Sequence, residues 1–318
     1  MAPGSPAGIA QAAWAALLAH PEAVVGYGTA ALLHGLATFR SVPGLELVRS
    51  AGAGRTPKMG ATPVRIAALP ASQVSEPQGV PSTSLARTAV DLARAGSVRD
   101  GVVALDSALQ LGCQWEELED VVSWCSGWPG SIGLRQAFDV ADPGSESPLE
   151  SLAHVVQAQA GLPRALTQVS IYDARGLIGR VDDYWPEHAT VGESDGMLKY
   201  DANGALRAEK LRQERLEQAG LQVVRVSYPD VTQHPLRTAD RYREAFERGR
   251  MRLAWRPLSV TTSASPSVVV FSARASTLRR PNNPEKAGEA AATKRGPVGS
   301  GTQWPHDLRQ LDGWPAAD

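Results

Sequence analysis

Three acids, Asp182, Glu193 and Asp195, are the residues of this chain best spaced to do chemistry. They lie in RVDDYWPEHATVGESDGMLK, residues 180–199. Alternate residues of a β-strand project to one face. Glu193 and Asp195 are therefore expected to point together, and an adjacent strand can bring Asp182 beside them. Carboxylates converging at sheet strands suit Mg²⁺, a hard cation that takes oxygen ligands and keeps waters for a phosphate substrate. Phosphodiester hydrolysis in a nucleic acid is the reaction such a site implies. Simpler readings stand beside this one. Asp195-Gly196 is a common way to close a strand with a turn, and Asp183 reads as a solvated or edge residue unless a shifted register gives it the place of Asp182. Glu193, between Gly192 and Ser194 in a strand interior, needs a partner of some kind.

The elements around these acids set the frame. SPLESLAHVVQAQAG is expected to be a helix with Ser147 as N-cap, Pro148 in the first turn, Glu150 three residues after the cap and Gly161 closing it. The strands ALTQVSIY, LIGRVDDYW and TVGESDG follow. The charged helix ALRAEKLRQERLEQAG closes on Gly220, and the strand LQVVRV comes next. The order is α-β-β-β-α-β: an α/β chain with a mixed sheet and helices packed on it. On the charged helix, Arg207, Lys210, Arg212 and Arg215 alternate with Glu209, Glu214 and Glu217, a pattern that intrahelical ion pairs explain.

Residues 1–140 read as a mostly helical N-terminal domain. Pro21-Glu22 opens an apolar helical stretch towards Leu36, with Gly35 near its end. Leu45–Val48 and Val64–Ala68 are short apolar runs that can pair as strands. Thr83-Ser84 precedes the helix LARTAVDLARAG, and further helices follow near 98–111 and 115–124. The turn-rich ADPGSES at 141–147 is the expected boundary, with the second domain over 147–250. From 251 to 318 the chain is rich in Ser, Thr, Pro, Ala and Arg with no hydrophobic period, so a disordered tail is expected.

The 318 residues are 43% hydrophobic and 20% charged, as in a soluble globular protein with room for two cores. A net charge of −1 gives no global attraction to nucleic acid or membrane, so any DNA contact must come from a local basic face. Cys113 and Cys125 lack metal spacing and read as buried thiols. No HExxH or paired-histidine spacing occurs. The N-terminal apolar run has no basic residues before it and is interrupted by Pro, Glu and His. It is expected to be neither a leader nor a membrane span, and the expected compartment is the cytoplasm.

Together, SPLES, TQVSI, GRVDDYWP, VGESDGMLKY and EKLRQERLEQAGLQVVRV resemble the PD-(D/E)xK nuclease superfamily, within it the very-short-patch-repair-like branch. The resemblance covers about a quarter of the chain. It implies a restriction-endonuclease-like core, DNA as partner and Mg²⁺ as cofactor. It assigns Asp182 as central metal ligand, Glu193 as the acid of the third strand and Glu150 as the first-helix acid, which also serves as a cap. Gln168 is implied as a polar residue orienting a ligand or phosphate. Asp195 stands where the family's E-x-K has its lysine, and a carboxylate cannot stabilise developing negative charge as an ammonium does. Lys199 is the residue implied to reach back in its stead. The preceding VVGYGTAALLHGL and TSLARTAVDLA resemble the helical region of AbiEi antitoxin-like proteins, with their winged helix expected to be largely missing. Two functions follow: a Mg²⁺-dependent endonuclease, or a non-catalytic DNA-binding regulator or type IV antitoxin-like protein.

Overall fold

The computed structural model describes residues 6–42, 44–51, 62–195, 203–255 and 258–263. The chain opens with helix α1 (Pro6–Ala19), strand β1 (Ala23–Val25) and helix α2 (Tyr27–His34). Four short strands follow: β2 (Leu47–Arg49), β3 (Val64–Ile66), β4 (Val74–Ser75) and β5 (Ser82–Thr83). The five strands form one sheet in the order β3-β2-β1-β5-β4. β2 and β3 pair as expected, in parallel, with Leu47 opposite Val64. The expected helix from Pro21 to Leu36 is a strand followed by a helix. Val24 and Val25 are β-branched, and β1 hydrogen-bonds to both β2 and β5, a ladder that outweighs a helical apolar period. α2 ends at Gly35, φ +74°, a conformation open to glycine, where Leu36 N–H donates to Ala31 O at 2.9 Å.

Helices α3 (Leu85–Ala95), α4 (Val98–Gln110), α5 (Trp115–Trp124) and α6 (Ser131–Val140) come next. Ser84 caps α3 by accepting from Arg87 N–H, and Ser97 and Asp100 form a capping box on α4. Leu105, Leu118, Leu134 and Ala137 bury this bundle's core.

The order α-β-β-β-α-β is present in α7 (Pro148–Gln159), β6 (Leu166–Asp173), β7 (Gly176–Trp185), β8 (Thr190–Ser194), α8 (Asn203–Gln218) and β9 (Gln222–Val226). After these come α9 (Tyr228–Thr232), α10 (Pro235–Trp255) and β10 (Thr261–Ser263). The second sheet runs β10-β6-β7-β8-β9, antiparallel except where α8 crosses from β8 to the parallel β9. Consecutive residues Tyr184 and Trp185, like Val223 and Val224, divide between two apolar clusters, as strand alternation requires. One cluster holds Leu216 of α8; the other holds Leu152 of α7 and Tyr242 and Phe246 of α10. Helices therefore cover both faces.

α7 also joins the two halves. Val155 packs into the helical bundle, and Val103 of α4 packs into the α7–α10 cluster. The turn at Asp142–Ser145, read from sequence as the domain boundary, has Asp142 and Ser145 buried. Part of the stretch expected to be disordered from 251 is regular structure. α10 runs to Trp255, and β10 pairs with the edge of β6, with Leu258 and Val260 against the sheet core. Edge pairing is a backbone interaction and needs no hydrophobic period. Residues 264–318, with their SVVVF run, lie outside the described residues.

α10 passes close to the 3-10 turn Pro186–His188. A Cβ on Gly249 would lie 1.7 Å from His188 O, a backbone atom. Gly249→Ala must push the helix off the sheet and should cost about 1–3 kcal/mol. Chemical denaturation measures it, and an unchanged midpoint would refute this close approach.

Candidate functional site

Glu150, Gln168 and Asp182 come together beside the N-terminus of α7. Ser147 Oγ accepts from Glu150 N–H at 3.3 Å and donates to Glu150 Oε1 at 2.8 Å, so the cap is real. Glu150 Oε2 accepts from Glu146 N–H at 3.0 Å and from Gln168 Nε2 at 2.9 Å. Glu150 is thus both cap and member of the cluster. Burial pushes its carboxyl up, opposed by the Glu146 N–H and aided by the charge of Asp182. Asp182 is raised by burial too, although its Oδ2 accepts from Ser194 N–H at 2.7 Å. Gln168 sits in β6 with φ +54°, an uncommon conformation for a residue with a side chain. It falls between the paired positions Thr167↔Asp183 and Val169↔Val181.

Glu193 does find the partner that a buried strand acid requires, and that partner is a pair of arginines. Glu193 is 5% exposed; Arg212 of α8 lies 2.6 Å from Oε1 and Arg225 of β9 lies 3.0 Å from Oε2. Burial raises its carboxyl and the two guanidinium groups oppose the shift. Arg212 and Arg225 also share Glu209. Asp195 shares the side of Glu193, as alternation predicts, with Oδ2 3.3 Å from Arg225 Nη1. On the charged helix, Arg212 does pair with Glu209, but it also reaches the sheet, while Arg215 crosses to Asp173 at 2.7 Å. Lys199 lies outside the described residues.

A Mg²⁺ site needs carboxylate oxygens free to replace water. Both oxygens of Glu150 already accept hydrogen bonds, both of Glu193 face guanidinium groups, and Asp182 is tied to Ser194 N–H. Among the described residues, no group of three or more His, Cys, Asp or Glu is arranged to hold a metal ion. The side chains in view do not fit one.

Asp183, expected to be a solvated or edge residue, is instead 2% exposed and the centre of a buried network. Its Oδ1 pairs with His154 Nε2 at 2.8 Å and its Oδ2 accepts from Gln157 Nε2 at 2.7 Å. His154 Nδ1 meets Ser145 Oγ at 3.1 Å, and Gln157 reaches Tyr242 Oη at 3.3 Å. Asp106 of α4 accepts from Asp142 N–H and from Ser151 Oγ, joining the bundle to the same region. The sequence carried a signal for this. Glu150, His154 and Gln157 are spaced i, i+4, i+7, a polar stripe along one face of α7.

Cys113 and Cys125 are buried free thiols, as expected, and burial pushes Cys113 up to about 12. Among the described residues no helix is long and apolar enough to cross a membrane.

Two curated proteins, Uncharacterized protein MT2308 and Uncharacterized protein Rv2248, come from two strains of Mycobacterium tuberculosis. Each is 29% identical to this chain over 237 residues, 72% of this chain and 83% of its own length. A family model described as "AbiEi antitoxin C-terminal domain" ends before Glu150, the first of the clustered acids. The small sheet and the helices after it are thus similar to the AbiEi antitoxin C-terminal domain, whose model matches residues 23–136.

Proposed function

We propose that this protein is a DNA-binding regulator of the antitoxin-like kind, in which the α-β-β-β-α-β unit over 147–250 is a scaffold and not a nuclease. The observation that carries this is the clamp on Glu193. An acid held between Arg212 and Arg225, with Asp195 in place of a lysine, has lost the charge pattern that phosphoryl chemistry needs. The similarity of residues 23–136 to the AbiEi antitoxin C-terminal domain supports the same reading.

With a net charge of −1, contact with DNA needs a local basic face. α10 supplies one: Arg237, Arg241, Arg248 and Arg252 fall along one side of a helix of about 3.6 residues per turn, separated from Arg243 and Arg250 on the other flank by Asp240, Glu244 and Glu247. Arg241, Arg243 and Arg248 are ion-paired to neighbours, while Arg237 and Arg250 point to solvent.

The purified protein should retain duplex DNA at low salt without divalent metal, with affinity falling steeply as salt rises. Arg237→Gln should lower the log–log salt slope by about 1, the loss of one phosphate contact. No retention of any duplex at low salt would sink the proposal. The nuclease reading keeps one observation in its favour, the meeting of Glu150, Gln168 and Asp182 at the α7 N-terminus. Mg²⁺-dependent plasmid nicking that disappears in Asp182→Ala would establish it instead.

A further inference from the structure

A concave site lies in the first half of the chain, away from the acids gathered around α7 and β6–β8. It is a cavity of about 230 Å³ between the start of α2, the loop at 38–42, β3 and the α3–α4 junction. That is several times the roughly 30 Å³ share of one water and approaches the roughly 300 Å³ lower end of small-molecule pockets. Phe39, Leu92 and Ala95 give it an apolar wall, and Tyr27 with the two ion pairs Arg40–Asp100 and Arg65–Glu46 lines the rest.

Its charges are sorted by depth. The side chains of Arg40 and Arg65 are 62% and 49% exposed, whereas their partners Asp100 and Glu46 are 12% and 13% exposed. The acids are engaged inward. Glu46 Oε2 accepts from Gly28 N–H at 3.1 Å, and Asp100 Oδ2 accepts from Ser97 N–H and Oγ. Each arginine meets its acid through a single nitrogen, Arg40 Nε at 3.4 Å and Arg65 Nη2 at 3.1 Å. The remaining N–H donors of both forks are left for an incoming anion. Tyr27 holds φ +49°, a strained conformation for an aromatic residue, and its ring lies under the Arg65 guanidinium at 4.2 Å.

We propose that this cavity binds the phosphate monoester of a planar ring compound, with a nucleoside monophosphate as its natural form. Two outward guanidinium groups match a dianionic phosphate better than a single carboxylate. The apolar wall and the size suit one ring and its sugar. The ligand is either a free nucleotide or the phosphorylated end of a strand. The proposal does not rest on duplex binding.

Calorimetric titration of the full chain tests it with dAMP, phenyl phosphate, inorganic phosphate and a 5′-phosphorylated single-stranded oligonucleotide. dAMP and phenyl phosphate should bind saturably and more tightly than inorganic phosphate. Arg40→Gln/Arg65→Gln should weaken both by about tenfold or more. Ala95→Trp, at an exposed position on the wall, should block both while leaving the guanidinium groups in place. Melting curves of the free variants close to wild type show that they fold. Competition by the oligonucleotide identifies a strand end as the source, and its failure to compete identifies the free nucleotide. The proposal is overturned if neither ring phosphate binds at about 5 mM. It is equally overturned if inorganic phosphate binds as well as dAMP, or if both variants bind like wild type. Duplex retention measured on the same variants separates this outcome from the fate of the regulator reading.

Discussion

Asp183→Ala should destabilise the protein by about 3–5 kcal/mol, the cost of removing one partner from a buried ion pair. Both carboxylate oxygens are in use, one by His154 Nε2 and one by Gln157 Nε2, and the side chain is almost wholly out of water. Alanine leaves a buried imidazole without its counter-charge and a buried amide donor without an acceptor. Gln157 still reaches Tyr242 Oη, so its loss is partial. Asp183→Asn keeps the shape and one acceptor and should cost less. Asp182→Ala is the informative control. The Asp182 carboxylate is half-buried and accepts from Ser194 N–H, so about 1–2 kcal/mol is expected. Urea unfolding at pH 7 ranks the three variants. A midpoint for Asp183→Ala equal to that of Asp182→Ala would mean that the network contributes nothing beyond one part-buried hydrogen bond.

Stability should fall as pH rises from about 4 to about 9, and His154 should account for the upper part of that fall. Burial by itself would lower the His154 imidazole. The charge and hydrogen bond of Asp183, with Asp142 and Asp106 behind them, outweigh it and push the group to about 9. A folded pKa above the unfolded 6.5 means stability that is complete below about 6.5 and lost as pH climbs through 9. At about 1.4 kcal/mol per unit this amounts to at most roughly 3.5 kcal/mol. Asp106 acts in the same direction at lower pH. Burial raises its carboxyl from 3.8 to about 7 against the hydrogen bonds from Ser151 and Asp142. The folded chain therefore holds a proton that the unfolded chain releases between those values, and stability declines across that window. Melting temperatures recorded from pH 5 to pH 9 should drop for the wild type. In His154→Gln the limb between 6.5 and 9 should flatten. A wild-type protein more stable at pH 9 than at pH 6 would contradict a charged His154.

The candidate site was legible in part. Ser147, Pro148 and Glu150 spell a helix start, and the structure has that cap. Glu193 and Asp195 project together as their spacing requires. Glu193 also needed a partner, which a strand-interior acid announces. The identity of that partner was not legible. Arg212 is 19 residues further on and Arg225 is 32 further on; only the crossover of α8 and the register Glu193↔Arg225 bring them to it. Asp183 was misread for a related reason. Two adjacent acids on a strand look like one inward and one outward residue. The packing of α7, whose His154 and Gln157 meet Asp183, decides which of them is buried.

By itself the sequence determined the local matters: helix starts and stops at Ser84, Ser147 and Gly35, and the α-β-β-β-α-β order. These depend on residues a few positions apart, where capping and side-chain alternation act directly. Only the tertiary structure decided that Val24–Val25 is a strand, that β10 closes the second sheet, and that the acids of β8 face arginines. Strand pairing and ion pairing are settled by groups far apart in the chain, and no short-range pattern encodes which of them will meet.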